Sequence, residues 1–368
     1  MEKHKPKIAV IGLKGLPAFG GAATVGENII LQLQSDYDFT VYATSSHTSQ
    51  KTGNYLGYKQ IVFRKLPFKR INTLYYYIIS ALHALFFCKY DLVHLHHRDA
   101  AFIIPLLKLK YKVILTTHGI FKINDKWKKY HIYFKIQEKY FVKKANIITC
   151  VSKNEQRKFK AILNLDVNFI PNGIHELNES NLRTSSHNNT TIVFAAGRII
   201  PGKGCDIMLR SLNLMNYNGN VHIIGDLNQV FEYKEQVIEL SKSLDVKFID
   251  LIKDKNLLLE QIREGDVFIF PSNKEAFSIM LLEAASVKIP IIASDITENK
   301  DIFDDREILF FKTDDVKDLA DKITWALQNK AEMAEKANNS YTKLVKEYTW
   351  KDIALKYHSL YEQLLLKK

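Results

Sequence analysis

The sequence predicts an α/β protein of two doubly wound domains facing each other across a cleft. Three observations predict it. Short β-branched apolar runs alternate with longer amphipathic stretches, as when strand and helix follow one another in turn. The series occurs twice, on either side of HELNESNLRTSSHNNTT (175–191), a polar, Asn- and Ser-rich segment that reads as a linker. A chain of 368 residues, 46% hydrophobic and 25% charged, is also long enough to favour two cores over one.

In chain order, the first series of strands is KIAVIG (7–12), FTVYAT (39–44), LVHLHH (92–97), KVILTTH (112–118) and NIITCVS (146–152). The second is TIVFAAG (191–197), NVHIIGD (220–226), VKFID (246–250), VFIFPS (267–272) and PIIAS (290–294). Most are nearly all apolar, so both faces need cover, as in parallel sheets with helices on either side. Ligands gather at the carboxyl ends of such strands.

The loop after the first strand belongs to IGLKGLPAFGGAATVGENI (11–29), where Gly20 and Gly21 make a turn that lets backbone approach a ligand. Gly12, Gly15, Gly20 and Gly21 do not fit G-x-G-x-x-G, which argues against nicotinamide or flavin binding. Leu74 to Phe87 form an apolar run too short to span a bilayer, hence a buried helix or a face dipping into a membrane interface. In HLHHRD (94–99), alternation points His94 and His96 to one face and His97 to the other. No H-E-x-x-H or C-x-x-C accompanies them, so the reading is cleft lining or ligand contact by His96 and His97, with no metal. His118 ends another strand, where capping or packing is the plain alternative to a ligand role. Asn172 and Gly173 in FIPNGIH (169–175) make a turn, with a ligand role for Asn172 as the second possibility.

In FAAGRIIPGKGCDIML (194–209), a strand end at Gly197 and Arg198, a turn at Pro201 and Gly202, and Lys203 at a helix start place two cations near one amide-rich turn. That suits a diphosphate, with Arg binding through two nitrogens and Lys as a point charge; a generic basic loop is the alternative. In PSNKEAFSIMLLEAAS (271–286), Pro271 ends a strand and a helix is expected from near Phe277 through Val287. The unpaired amides of Ala276, Phe277, Ser278 and Ile279 would then offer an anion site. Glu275 and Glu283 stand eight residues apart, about 12 Å along a helix, roughly the reach from the sugar of a nucleotide sugar to its ribose. Carboxylates accept hydroxyl hydrogen bonds well, although each glutamate alone would pass as an ordinary helix acid.

The last segment resembles the E-x7-E signature of the retaining glycosyltransferases of family 4, which reads PS-x-x-E-G-F-G-x-x-x-x-E-A-x-A, and KIPIIASDI (288–296) is similar to the family's G-x-P-V-I-A-S-D. Ala276 and Ser278 replace two glycines. The 194–209 segment resembles G-R-x-x-x-x-K-G-x-x-x-L, and 11–29 looks like the opening of a bacterial subset, with Ala22 and Ala23 where Phe and Glu are common. His118 matches the family's H-G step, FIPNGIH is similar to V-I-P-N-G-V-D, and YTWKDIALKYHSLYEQLL (348–365) is similar to the last helix, which crosses back to the first domain. The resemblance runs from residue 8 to residue 365 and implies the GT-B fold. Its first domain would span residues 1–172 plus 350–368 and its second 191–349, joined by a linker over 173–190. It implies a metal-independent enzyme that moves a sugar from a nucleotide-diphosphate sugar, a co-substrate, with no cofactor. Gly20, Gly21, Gly197, Arg198, Lys203, the 275–279 stretch and Glu283 would bind the donor, and Glu275, His118, Arg198 and Lys203 would carry the chemistry. A nucleotide-sugar 2-epimerase of the same fold is an alternative.

Charge is unevenly spread: residues 1–172 hold 27 Lys+Arg against 10 Asp+Glu, although the whole chain carries only +12. Such a basic half suits an anionic partner, with a solvated lysine-rich surface as the plain alternative. Aromatic residues interleave lysines in FKINDKWKKYHIYFK (121–135), which also suits nucleic acid. With the donor motifs present, the preferred partners are an anionic membrane surface and a lipid-linked or oligosaccharide acceptor; a non-enzymatic nucleic-acid binder is the alternative. Cys88, Cys150 and Cys205 are odd in number and widely spaced, which fits reduced thiols. MEKHKPKIAVIGLKG enters a strand without a signal-peptide pattern, so a cytoplasmic enzyme, peripheral on the membrane, is expected.

Overall fold

The structure is a computed structural model that describes residues 5–18, 21–67, 71–119, 140–175 and 190–366. The expectations for Gly20, for the basic-aromatic stretch at 121–135 and for residues 176–189 of the linker lie outside them. The chain forms two compact units, Met1–Gly173 with Trp350–Lys368, and Ile174–Thr349.

In the first unit the strands are β1 (Lys7–Lys14), β2 (Asp38–Thr44), β3 (Gly53–Tyr55), β4 (Tyr58–Phe63), β5 (Leu92–His96), β6 (Lys112–Thr117), β7 (Ile147–Cys150) and β8 (Asn168–Phe169). They pair in the order β3-β4-β2-β1-β5-β6-β7-β8, all parallel except the β3–β4 edge hairpin. The second unit has β9 (Thr191–Arg198), β10 (Asn220–Asp226), β11 (Asp245–Ile249), β12 (Val267–Phe270), β13 (Ile291–Ser294) and β14 (Leu309–Phe311), in the order β11-β10-β9-β12-β13-β14. Each of the ten expected runs contains a strand. The four unforeseen strands are two or three residues long (β3, β8, β14) or broken by lysine and glutamine (β4, YKQIVF), so they show no clear apolar period.

The apolar strands are covered on both faces. In β1, Ile8 and Val10 join one buried cluster while Ala9 and Ile11 join another. In β9, Val193 and Ala195 separate in the same way from Ile192 and Phe194. Burying both faces is what makes these runs continuously apolar.

Strand order reverses between β1 and β5 in the first unit and between β9 and β12 in the second. Loops that leave the carboxyl ends of neighbouring strands there run to opposite sides of the sheet and leave a crevice. The loop after β1 leads into α1 (Gly21–Leu33), with Gly21 as its first residue. Gly12 has φ +115°, and a Cβ there would lie 2.1 Å from the His96 carbonyl oxygen, so only glycine allows this contact between β1 and β5.

The apolar run at 74–87 lies in α2 (Asn72–Phe87), a helix of 16 residues with no Asp, Glu, Lys or Arg. One face, with Tyr76, Tyr77, Ala81 and Ala84, is fully buried. The Tyr76 hydroxyl accepts the Gly12 N–H at 2.9 Å and donates to the Tyr42 carbonyl at 2.8 Å, tying the helix to the carboxyl end of β1. Leu74, Ile78 and Phe86, and Phe87 at the helix end, are exposed, so the helix is both buried and surface-forming.

Candidate active site

Two loops meet at the reversal point of the second unit. After β9, the chain turns through Pro201–Lys203 and enters the Cys205–Leu214 helix. After β12, Pro271 to Ser278 lead into the Ile279–Ser286 helix. Gly204 lets them touch: its φ is +68°, and a Cβ would come within 2.2 Å of the Pro271 carbonyl oxygen. Asn273 N–H donates to the Gly202 carbonyl at 3.2 Å, and Asn273 Nδ2 bonds Asp314 Oδ1 at 3.0 Å.

This meeting pairs Lys203 with Glu275, Nζ to Oε1, at 2.5 Å, with the carboxylate largely buried. The motifs that name the two residues lie about 70 positions apart in sequence, and the fold joins them into one charged pair. Arg198 at the end of β9 is exposed and engages no carboxylate among the described residues. At Gly197 a Cβ would meet nothing within 4 Å, so packing does not require glycine there.

The helix after Glu275 departs from expectation. It begins at Ile279, two residues later than foreseen, and ends at Ser286. Glu275 therefore sits in the loop, and the eight-residue helical spacing to Glu283 does not apply. The Ile279 N–H is not free, since it bonds the Phe277 carbonyl at 3.1 Å. Neither Ala276 nor Ser278 has positive φ, so this loop does not need the family's glycines. Ser278 is buried, with its hydroxyl 3.3 Å from Asn299 Oδ1, facing the protein interior. Phe277 packs against Tyr348, ring centroids 6.2 Å apart.

Glu283 is buried and bound to Lys255 Nζ at 2.5 Å. Burial raises its pKa, and Lys255 opposes that rise through charge and hydrogen bond. Sequence reading missed Lys255. It lies 28 positions away at the start of the Lys255–Arg263 helix, capped by Asp254, and no local pattern marks it.

In the first unit the histidines gather where β5 and β6 end. His94 and His96 share a face, ring centroids 4.1 Å apart, as alternation requires. His94 is held at both nitrogens, Nδ1 by the Tyr361 hydroxyl and Nε2 by Thr116 Oγ1, each at 2.7 Å. His96 Nδ1 lies 2.9 Å from His118 Nε2. His97 is not the last residue of the strand: its φ is +73°, so the strand stops at His96 while the His97 ring stays within 5.3 Å of His118. Burial lowers the pKa of all four: that of His94 falls to about 3, and those of His96 and His118 lie well below the ordinary value. Asn172 is buried, with an Oδ1 that has no partner among the described residues. Also among the described residues, no three His, Cys, Asp or Glu side chains are grouped to hold a metal ion, and the three cysteines are free.

The second unit thus offers a lysine–carboxylate pair and, at the end of β9, an exposed arginine, and the first unit a group of imidazoles. The model for glycosyl transferases group 1 matches residues 179–343, and the model for glycosyltransferase family 4 matches residues 19–176. The chain belongs to the family 4 glycosyltransferases. An uncharacterized 41.2 kDa protein in the cps region of Klebsiella pneumoniae is 27% identical to this glycosyltransferase over 308 residues, 78% of this chain and 81% of that one. The O-antigen biosynthesis glycosyltransferase WclY of Escherichia coli is 28% identical over 166 residues, 44% of each chain. Among solved structures, sucrose-phosphate synthase from Thermosynechococcus elongatus superposes with TM-score 0.84 at 18% identity, covering 99% of this chain and 100% of that one. Anabaena HepE in complex with UDP and glucose gives 0.74 at 17%, covering 97% and 100%. At such identities the likeness shows the fold, and this glycosyltransferase has the GT-B fold.

Proposed function

We propose that this glycosyltransferase moves a sugar, with retention of configuration, from a nucleoside diphosphate sugar to a saccharide or lipid-linked acceptor in bacterial surface polysaccharide synthesis. The observation that carries the reading is the Lys203–Glu275 pair, set beside exposed Arg198 at the reversal point of the second unit. A donor diphosphate would draw Lys203 away from Glu275, bind Arg198 as well, and release the carboxylate to accept sugar hydroxyl hydrogen bonds. Both cations would then stand where negative charge grows as the glycosidic bond breaks, which is where stabilisation speeds the reaction. Gly197 fits close approach by the donor, since the fold itself has no need of glycine there.

Glu283 would take the ribose diol and His118 the sugar. Gly20, Gly21, Ala276, Phe277, Ser278 and Ile279 complete the proposed donor-binding set, the Ser278 and Ile279 contributions being narrowed by the bonds described above. His97 and Asn172 are the acceptor-side candidates, whereas His96, 1% exposed and bonded through Nδ1 to His118, stands behind them; the unpartnered Asn172 Oδ1 suits a hydroxyl donor. The departing phosphate takes the acceptor's proton, so no separate general base is assigned. Arg198 and Lys203 supply the positive charge, and the reading asks for no metal or cofactor. WclY's role in O-antigen biosynthesis and the UDP complex of HepE support the choice of pathway and donor.

An anionic membrane surface is the proposed second partner. The uncharged helix α2 exposes Phe86 at 75% and Phe87 at 77%, close to the exposed Leu109 turn flanked by Lys108 and Lys110. Lys110 Nζ bonds the Leu85 and Cys88 carbonyls at 2.8 Å, which ties that turn to the end of α2. Apolar side chains rimmed by lysines suit the interface of an anionic leaflet. Among the described residues no helix is long and apolar enough to cross a membrane.

A thermal-shift screen against UDP, GDP, ADP and CMP, with and without EDTA and repeated on Glu283→Ala, tests the donor site. Stabilisation by one nucleotide, unaffected by EDTA and lost in the variant, is expected. No stabilisation by any of the four refutes the reading.

A further inference from the structure

We propose that His96 is a positioning residue that holds His118 in the Nδ1-protonated tautomer, so that His118 meets the donor as a hydrogen-bond donor. The second half of this statement rests on the role given to His118 above; the first half does not. The rings of His96 and His118 are 11° from parallel with centroids 5.2 Å apart. That separation is the 2.9 Å Nδ1 to Nε2 distance plus one ring radius at each end, so the two nitrogens point straight at each other. This is an in-line hydrogen bond between coplanar rings and not a face-to-face stack.

Two neutral arrangements satisfy such a bond. In one, His118 Nε2–H donates to His96 Nδ1, and His96 then carries its proton on Nε2. That nitrogen is buried and has no partner among the described residues. An N–H donor would be stranded there, and a buried donor without an acceptor is among the rarest features of folded proteins. In the other, His96 Nδ1–H donates to His118 Nε2, and only an imidazole lone pair goes unused at His96 Nε2. His118 then carries its proton on Nδ1.

The surroundings favour neutrality throughout. His94 lies against the other side of His96, and His97 approaches His118, so a proton added to any ring would face its neighbours. His94 is locked by Tyr361 and Thr116, and Thr116 Oγ1 is in turn 2.7 Å from Thr149 Oγ1. His96 is therefore backed by a fixed neighbour, and of the bonded pair it is His118, partly exposed, that can reach a ligand.

The test is a long-range proton–nitrogen correlation spectrum of the full chain labelled with 15N-histidine, with His118 assigned by its loss in His118→Asn. The wild type should show His118 protonated on Nδ1. His96→Leu should redistribute the His118 tautomer, whereas His96→Asn, which can donate from near the same position, should preserve it. In parallel, His96→Leu should lose roughly ten-fold in kcat with little change in nucleotide KM, and His96→Asn should recover most of it. A wild-type His118 protonated on Nε2 overturns the proposal, as does a His118 signal indifferent to His96→Leu. Should His96→Leu not fold, the wild-type and His96→Asn spectra decide alone. The spectra need no substrate, so a shifted tautomer with unaltered turnover would leave the pairing standing and remove His118 from donor contact.

Discussion

Replacing Lys255 with methionine removes the cation that pairs with the buried Glu283. Glu283 is 7% exposed in its side chain and Lys255 47%, with their charged atoms 2.5 Å apart. Breaking a fully buried pair costs about 3–5 kcal/mol because a charge is left uncompensated. Here Lys255 is half in water, which screens its contribution, and Glu283 can escape by taking up a proton at about 1.4 kcal/mol per pH unit. A loss of about 1–3 kcal/mol near neutral pH follows, worth several degrees in Tm for a unit of this size. The sign with pH is fixed by the direction of the shift. Burial already raises the Glu283 pKa above the ordinary 4.5. Such a group favours the folded state below its unfolded pKa and loses that contribution as pH rises through the folded value. Without Lys255 the folded value rises further, so the variant should match wild type in acid and fall behind as pH climbs. Thermal melts of both proteins at about pH 5 and about pH 8 measure this. A deficit that is equal at the two pH values, or larger in acid, refutes the reasoning. Nucleotide KM should rise in the variant too, since a protonated Glu283 accepts the ribose diol less well.

Gly204→Ala should destabilise the second unit by about 2–4 kcal/mol, combining a left-handed φ with a backbone clash at Pro271; an unmoved urea midpoint would count against the close contact of the two loops. Arg198→Ala should cut turnover by roughly 100-fold or more while leaving Tm unchanged, because the side chain is exposed and its proposed work lies in the transition state; an undiminished rate removes it from phosphate binding. The double change Phe86→Ser with Phe87→Ser should abolish co-sedimentation with phosphatidylserine vesicles and spare nucleotide binding, and retained sedimentation would mean that the α2 face is not the membrane contact.

The residues of the second unit's candidate site were legible because they sit in short contiguous motifs. Arg198 and Lys203 follow one strand, Glu275 follows another, and Gly204 marks the turn that a side chain could not enter. Apolar strands with both faces covered announced a parallel sheet, and the loops after β9 and β12 were expected at its carboxyl edge. The short strands β3, β8 and β14 were missed because two or three residues cannot display a period.

By itself, then, the sequence determined the fold class, the family and the residues proposed for the donor side, since periodicity and motif spacing are local properties of the chain. Tertiary structure decided the pairings. Lys203 meets Glu275 and Lys255 meets Glu283 only because loops and helices from separate parts of the second unit converge. His96 reaches His118 only because β5 and β6 lie side by side in parallel register, His96 opposite Thr116. The protonation state of a carboxylate or an imidazole depends on what surrounds it within a few ångströms, and those neighbours come from parts of the chain whose distance in sequence does not reveal them.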